Sequence, residues 1–287
     1  MEGSHWTMSA SNAGHRGRFK DNMIQPSIFG GEKTVYGMIH LLPLPGTPFY
    51  EPGNTGKSLA KAIKDVKALV SGGATGCVVQ TIDQIYPVGP EVDPARLAAF
   101  ANIVRAVRDA SPPDFHVGVQ ILWNALEASI AVAKVCGGTF VRCTALVGST
   151  MTPAGVTQSD PVRLNEYRKK IAALDISLLA EIDSMHFSWL NGKPLADIAA
   201  DAIKAGANAV EIAHPEEDKC LGMILELKEQ FPELPVIVGG YTNHENAGRI
   251  LAQADGALVG SCFEPEGWGT FVDASKVVEY VGIVRNL

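Results

Sequence analysis

The chain has 287 residues, of which 46% are hydrophobic and 19% are charged, and its formal net charge is −7. This composition supplies ample material for a core and excludes a disordered chain. No basic cluster interrupts the acidic balance, which argues against a nucleic-acid partner. No apolar run approaches the roughly 18 residues of a membrane span. We therefore expect a cytoplasmic globular protein that binds neither nucleic acid nor membrane.

The N-terminal segment differs in character from the rest of the chain. Its first 22 residues are polar and contain no apolar stretch of the kind found in secretory signals. We predict that residues 1–33 are a flexible leader or tag and that residues 34–287 form the folded domain.

Cysteine usage points to a reducing compartment. The five cysteines are an odd number and contain no Cys-x-x-Cys pair, a pattern that suits neither a disulfide framework nor a zinc ribbon. We expect free thiols packed in a cytosolic core.

Short β-branched runs alternate with longer amphipathic segments from residue 34 onward. Eight runs are predicted as strands buried on both faces: 35–41, 77–80, 116–121, 140–144, 178–183, 209–214, 235–240 and 257–261. The segments between and after them are predicted helices: 59–70, 94–110, 125–135, 161–174, 195–205, 216–231, 245–254 and 274–284.

Eight β-then-α units with short connections predict one architecture. Right-handed crossovers make the strands parallel, and eight such strands close into a single (β/α)8 TIM barrel of roughly 250 residues. The rival is an open, doubly wound sheet. That fold predicts a Gly-rich loop after the first strand, whereas residues 41–46 are Pro-rich.

Polar side chains end six consecutive predicted strands. Burying such groups unpaired costs a few kcal/mol each, so they favour a pocket at the C-terminal ends of the strands, where TIM barrels carry their active sites. A structural network that satisfies itself is the alternative. The residues are His40, Gln80, Gln120, Arg142, Glu181 with Asp183, and Glu211 with His214.

The last two strands are followed by Gly-containing turns. Gly239 and Gly240 follow strand seven, and Gly260 and Ser261 follow strand eight. Barrels often bind phosphate at these junctions through backbone N–H groups and the start of a short helix. We predict a phosphate site there; simple packing glycines are the alternative.

Residues 53–58 imitate part of a nucleotide-binding loop. Gly53 lies only three residues before Gly56, so the full Walker spacing is missing. We predict a flexible loop here, with Ser58 as the N-cap of the first helix.

Carboxylates and imidazoles near strands five and six could form a site for a divalent metal ion. No spacing in the sequence demands a metal, and we expect no cofactor. The candidate ligands would be Glu181, Asp183, His186 and His214.

Several of these segments carry a family resemblance. Residues 37–46 (GMIHLLPLPG), 118–124 (GVQILWN), 180–186 (AEIDSMH) and 254–261 (ADGALVGS) resemble the BtpA/SgcQ family over about residues 35–284. The resemblance implies a TIM barrel and a phosphosugar-type ligand. The family name comes from a link to photosystem I accumulation in cyanobacteria, and other members lie among carbohydrate genes.

The sequence departs from the family pattern in ways that concern the ligand. The family usually has Asp where Glu181 stands, and a lysine common before the strand-five histidine is Met185 here. A Ser-Gly-rich junction is replaced in residues 213–216, and a second lysine is absent from residues 261–264. Loss of two cations weakens binding of a strongly anionic substrate, so the substrate need not be that of other members.

We predict a protein that binds, and acts on, a small phosphorylated compound such as a sugar phosphate, by isomerase, epimerase or lyase chemistry. Such reactions need an acid and a base with separated pKa values. The predicted bases are Glu181, Glu211 and Asp183, the predicted acids are His40 and His186, Arg142 would hold an oxyanion or carboxylate, and Gln80, Gln120, Asn124 and His214 would contact substrate.

Two further expectations complete this hypothesis. None of the predicted strands contains a lysine, so Schiff-base chemistry is not expected, although Lys193 on the loop after strand five is a candidate exception. The alternative function is a non-catalytic assembly factor of the photosystem I biogenesis type. Such a factor would fill the pocket and expose an apolar patch, whereas an enzyme would keep a polar cavity. Homo-oligomerisation is compatible with either.

Overall fold

Strands and helices alternate in the computed structural model, which describes residues 28–287. The strands are β1 (Thr34–His40), β2 (Gly76–Gln80), β3 (His116–Gln120), β4 (Phe140–Cys143), β5 (Ser149–Thr152), β6 (Gly155–Gln158), β7 (Ser177–Glu181), β8 (Ser188–Trp189), β9 (Ala209–Ile212), β10 (Val236–Gly239) and β11 (Gly256–Val259). The helices are α1 (Asn54–Ser71), α2 (Pro94–Asp109), α3 (Leu126–Cys136), α4 (Pro161–Lys170), α5 (Leu195–Lys204), α6 (Glu217–Gln230), α7 (Ala247–Gln253) and α8 (Ala274–Arg285), and a short 3-10 helix spans Ser261–Phe263.

Eight of the strands close into a parallel barrel in the order β1-β11-β10-β9-β7-β4-β3-β2. These are the eight strands predicted from the sequence, so the (β/α)8 prediction is confirmed. The open-sheet alternative is wrong because β1 pairs with both β2 and β11, which leaves no edge. Both faces of the barrel strands are buried, which explains their continuous apolar sequences.

Local sequence signals set the ends of the outer helices. In α2, the side chain of Asp93 accepts hydrogen bonds from two backbone N–H groups of the first turn, and Pro94 occupies the first helical position. Ile103, Val104 and Val107 are fully buried against the barrel. Their spacing of three and four residues is the stripe expected of a helix with one buried face.

An aromatic cluster closes the N-terminal end of the barrel. Phe29, Tyr36 and Phe140 make edge-to-face contacts with ring centroids 5.1 to 5.8 Å apart, and the Tyr36 hydroxyl donates to the carbonyl of Ile28. Phe29 is fully buried. The folded domain therefore includes residues from 28 onward that we had assigned to the leader, and residues 1–27 of that prediction lie outside the described residues.

Three strands outside the barrel form a small antiparallel sheet in the order β6-β5-β8. They come from the loops that follow β4 and β7, at the end of the barrel where the strands terminate. The indole of Trp189 donates to the carbonyl of Ile182 at 2.8 Å and ties the sheet to the loop after β7. The sequence analysis did not predict this sheet.

The first helix begins earlier than predicted. Asn54 opens α1, and Gly53 precedes it with a left-handed backbone at φ +92°. Ser58 lies buried within the helix, where its hydroxyl accepts a hydrogen bond from the Leu42 N–H at 3.0 Å. The prediction of a flexible loop capped by Ser58 is therefore wrong, because this serine fastens the loop after β1 to α1.

A buried ion pair fastens the loops after β2 and β3. Arg96 contacts Asp83 directly and donates to the Thr81 hydroxyl at 3.0 Å and to the Leu122 carbonyl at 3.3 Å. Asp83 also accepts from the N–H of Leu44 at 3.4 Å. Burial raises the pKa of Asp83, and Arg96 opposes that rise. This network holds the loops on one side of the barrel mouth.

The free thiols predicted from the sequence are confirmed. All five thiols are free; Cys77, Cys136, Cys143 and Cys220 are buried, and Cys262 is half-buried. Burial raises the pKa of Cys220 to about 11, which disfavours a reactive thiolate there. No helix within residues 28–287 is both long and apolar enough to cross a bilayer.

Candidate functional site

A cavity of about 970 Å³ opens at the C-terminal ends of the barrel strands. This is the end at which TIM barrels carry their active sites. Nine of the fourteen predicted site residues line it: His40, Gln80, Arg142, Glu181, His186, Gly239, Gly240, Gly260 and Ser261. Apolar side chains and a smaller set of polar groups line the cavity together, as expected for a ligand-binding site.

Arg142 on β4 forms the centre of the cavity floor. Its Nε and Nη2 atoms each donate to Glu211 at 2.6 Å, and Nη2 also lies 3.1 Å from Oε1 of Glu181. Three strands thus bring one guanidinium and two carboxylates together. The charged side chains at these strand ends therefore form one network.

The remaining donors of Arg142 are also engaged. Nη1 donates to Gln120 at 3.0 Å and to Gln80 at 3.3 Å. Four hydrogen bonds and the ion pair with Glu181 therefore engage the guanidinium from the protein side. The geometry gives Arg142 a positioning role rather than the predicted role of holding a substrate oxyanion.

Glu211 lies beneath Arg142 and is fully buried. Burial raises the pKa of Glu211 to about 7 against the opposing charge of Arg142, and the Glu181 carboxylate adds to the rise. The buried Glu211 carboxylate beside this guanidinium therefore takes up a proton near neutral pH. Because Glu211 does not line the cavity, its predicted role as a base in contact with substrate is not supported.

Glu181 is the carboxylate that lines the cavity. Its Oε1 faces Arg142, whereas Oε2 is buried and has no hydrogen-bond partner within residues 28–287. A buried carboxylate oxygen without a partner is costly unless it meets a proton, a water or a ligand. Glu181 is therefore the base candidate on the cavity wall.

His40 at the end of β1 is oriented by a residue that the sequence analysis did not select. Its Nδ1 lies 2.9 Å from the buried carboxylate of Glu264, whose second oxygen accepts from the Gly269 N–H at 3.0 Å. With Nδ1–H held in this way, Nε2 has no partner in the described part of the chain. A lone acidic residue after strand eight carries no spacing signal; the one hint was the missing family lysine in residues 261–264.

Backbone N–H groups edge the cavity at the turns after β10 and β11. Those of Gly240, Tyr241 and Ser261 donate to no other group within residues 28–287. Gly240 has φ +73°, and open space surrounds its Cα. Gly239 has a different role, because a Cβ there would lie 1.8 Å from Oε1 of Glu211. Its small size makes room for the buried carboxylate.

Five predicted residues lie outside the cavity. Glu211 and Gln120 lie below Arg142, and the Asn124 amide donates to the Gln158 carbonyl at 2.9 Å instead of facing a ligand. The other two do not line the cavity: burial raises the pKa of Asp183, the charge of His214 opposes that rise, and His214 Nδ1 accepts from the Glu216 N–H at 3.0 Å. The predicted substrate and acid–base roles of Asn124, His214 and Asp183 therefore have no support in this geometry.

Only two of the four residues considered as metal ligands line the cavity. Glu181 and His186 line the cavity, whereas Asp183 and His214 do not. Within residues 28–287, no three His, Cys, Asp or Glu side chains are grouped in a way that could hold an ion.

Aromatic rings on the cavity wall were also missed from the sequence. Trp123 packs edge-on against Tyr86 at 5.5 Å and lies 6.2 Å from His186. On another side, Trp268 lies 5.3 Å from the ring of His40. Isolated aromatic residues in loops have no periodicity, so only the structure shows that they converge.

A comparison of the sequence with protein families identifies the family of this chain. The pattern of the BtpA family matches residues 31–286. The chain belongs to the BtpA family. Relatives include an uncharacterized protein of Archaeoglobus fulgidus, 32% identical, with 89% of this chain and 100% of the relative covered. The photosystem I biogenesis protein BtpA of Synechocystis is 27% identical, with 83% of both chains covered.

Comparison with solved structures places this BtpA-family chain among TIM barrels. A tryptophan synthase structure from M. tuberculosis has a TM-score of 0.58 at 16% identity, with 88% of this chain and 94% of that chain covered. The native KDPGal structure has a TM-score of 0.56 at 15% identity, with 90% and 97% covered. At such low identity the likeness concerns the fold alone.

Proposed function

We propose that this BtpA-family protein is an enzyme that binds a small phosphorylated compound, such as a sugar phosphate, and acts on it by acid–base catalysis. The observation that carries the proposal is the buried, unpartnered carboxylate oxygen of Glu181 on the wall of an open cavity. A protein that uses the cavity only as structural filling would have no reason to keep such a group unsatisfied.

Glu181 and His40 are the base and the acid of this proposal. Glu181 would take a proton from a carbon next to a carbonyl group, and Nε2 of His40 would donate a proton to the carbonyl oxygen. In an isomerisation, Glu181 then returns its proton to the former carbonyl carbon while Nε2 of His40 takes a proton from the neighbouring hydroxyl. In an epimerisation, a proton returns to the original carbon while Nε2 takes back the proton that it gave to the oxygen. Both side chains line the cavity, and each is held by a charged or hydrogen-bonding partner.

The phosphate would be held at the turns after β10 and β11. The free N–H groups of Gly240, Tyr241 and Ser261 provide donors there, and a glycine allows the close approach of an anion. This arrangement needs no lysine, in accordance with the two cations that this sequence lacks relative to the family pattern.

Exchange of solvent hydrogen tests the proposal. A panel of ketose and aldose phosphates is incubated with the protein in D2O and followed by proton NMR. We expect deuterium at a carbon next to the carbonyl group of at least one compound, and loss of that exchange by at least about 100-fold in Glu181→Gln. Absence of exchange, cleavage and binding across the panel would contradict the proposal.

The second candidate is an assembly factor, which the name of the Synechocystis relative suggests. One observation favours it: Met151 and Val156 are cross-strand partners in the small sheet and both are exposed, and Leu190 beside them is exposed as well. Exposed apolar groups of this kind are typical of contact surfaces. If this candidate is correct, replacing Met151 and Val156 by Ser abolishes assembly function, whereas Glu181→Gln leaves it intact.

A further inference from the structure

Trp268 is an unusual side chain for a solvent-facing loop. It lines the cavity, 59% of its surface is exposed, and its ring centroid lies 5.3 Å from that of His40. Exposure of a large aromatic side chain at a cavity wall is unfavourable without a ligand to cover it. The exposed face of the indole is therefore a surface on which a ligand in the cavity can pack.

The loop is shaped to hold this indole in place. Gly267 and Gly269 on either side of Trp268 have φ values of +116° and +82°, which a residue with a side chain adopts only with strain. The Gly269 N–H is fastened to Glu264 at 3.0 Å, and the same carboxylate contacts His40 at 2.9 Å. One buried carboxylate thus fixes both the acid candidate and the aromatic surface.

The groups near Trp268 define what kind of ligand fits. The indole offers an apolar face, whereas Glu181 and Gln80 elsewhere on the cavity wall offer hydrogen-bonding groups. A sugar ring has this combination, because its C–H groups form an apolar face and its hydroxyls form a polar edge. A planar heterocycle without hydroxyls would leave the carboxylate and amide unmatched.

The geometry points to Trp268 as the platform on which the closed ring of a sugar phosphate stacks, with Glu264 as the positioning residue of that platform. This inference rests on the proposed function and narrows its substrate class: the sugar is bound as a closed ring, and acyclic phosphates lose this contact. The ring then opens, with the anomeric hydroxyl proton passing to the ring oxygen, and this gives the carbonyl group that the proposed proton transfer needs. Trp268 thereby determines specificity between cyclic and open-chain phosphates.

Two phosphorylated probes of equal charge test the inference by calorimetric titration. Methyl glucopyranoside 6-phosphate cannot open its ring, and glycerol 3-phosphate has none. We expect Trp268→Ala to lower the affinity for the cyclic probe by about tenfold and the affinity for the acyclic probe by less than about twofold. Trp268→Phe should retain part of the affinity for the cyclic probe. The control is Phe271→Ala, which removes an exposed aromatic ring of the same segment that contacts Lys64 outside the cavity.

The outcomes separate this inference from the function on which it rests. If both probes bind and Trp268→Ala weakens them equally or not at all, the platform is wrong and the phosphate-binding proposal stands. If neither probe binds the unmodified protein, the platform is wrong, and the exchange experiment with the ketose and aldose phosphates decides the proposed function separately. Glu264→Ala provides an independent check, because it should reduce affinity for the cyclic probe selectively although Glu264 itself does not touch the ligand.

Discussion

At the scale of single residues, the site is governed by the excess of carboxylates over guanidinium groups. Arg142 makes four hydrogen bonds to protein oxygens, and two carboxylates share its charge. The sequence predicts which polar residues end the barrel strands, because their chain positions follow from strand counting. It does not predict which of them remain accessible, since the burial of Glu211 beneath Arg142 depends on side-chain packing and on the absence of a Cβ at Gly239.

Glu211 should make stability depend on pH. Its pKa is raised from 4.5 to about 7 on folding, so the folded state holds the proton more tightly than the unfolded state. Its contribution is fully present below pH 4.5 and is lost as pH rises through 7, up to about 3 kcal/mol. Guanidinium titrations at pH 5 and pH 8 should show a drop in unfolding free energy that is smaller in Glu211→Gln. The exposed Glu229→Gln is the control, and an unchanged drop in Glu211→Gln would contradict the assignment.

Removal of Arg142 should destabilise the barrel strongly. Arg142→Met leaves Glu181 and Glu211 buried without a cation, at a cost of about 3–5 kcal/mol. Arg163→Met, which removes an exposed ion pair with Glu127, should cost less than about 1 kcal/mol. Chemical denaturation at pH 8 measures both values. Similar losses in the two variants would mean that the charge network contributes little to the fold.

At the scale of elements, the loops that follow the strands carry what the sequence could not supply. The barrel strands have strong apolar signals, whereas β5, β6 and β8 are short, polar and held by contacts distant in sequence, such as the pairing of Thr150 with Trp189. The same applies to Glu264. Its partner His40 lies near the other end of the chain, and its partner Gly269 lies in the same loop. Contacts between loops have no sequence period, so these parts of the site could not be predicted.

The turn after β10 offers a matched test of phosphate binding. Gly240→Asp places a carboxylate in open space beside the free N–H groups. This change should lower the affinity for inorganic phosphate by at least about tenfold. Gly192→Asp is the control, because Gly192 also has a positive φ, at +59°, and open surroundings but does not line the cavity. Calorimetric titration with phosphate measures both. Equal binding by Gly240→Asp and the unmodified protein would exclude this turn as the phosphate site.

At the scale of the whole molecule, the barrel brings strand ends that are far apart in sequence to one opening. Strand number, order and closure were predictable because each βα unit repeats the same apolar pattern and because crossovers are right-handed. The aromatic seal at the opposite end was not predicted, since Phe29 lies in a segment whose polar neighbours concealed its packing against Tyr36 and Phe140.

The distribution of lysines favours acid–base chemistry over Schiff-base chemistry. No lysine within residues 28–287 lines the cavity. Lys193, the exception considered from the sequence, is paired with Asp201 at 2.5 Å at an exposed site. Borohydride treatment in the presence of ketose and aldose phosphates should therefore give no adduct by mass spectrometry. A stable adduct on any lysine would show that the chemistry lies on other residues.

A crystal structure of Glu181→Gln grown with the sugar phosphate that shows the strongest hydrogen exchange tests the central claim most directly. The account predicts phosphate density within hydrogen-bond distance of the Gly240, Tyr241 and Ser261 N–H groups, with the sugar carbons beside residue 181 and His40. An empty cavity at a saturating ligand concentration, or a phosphate bound outside it, would contradict the account.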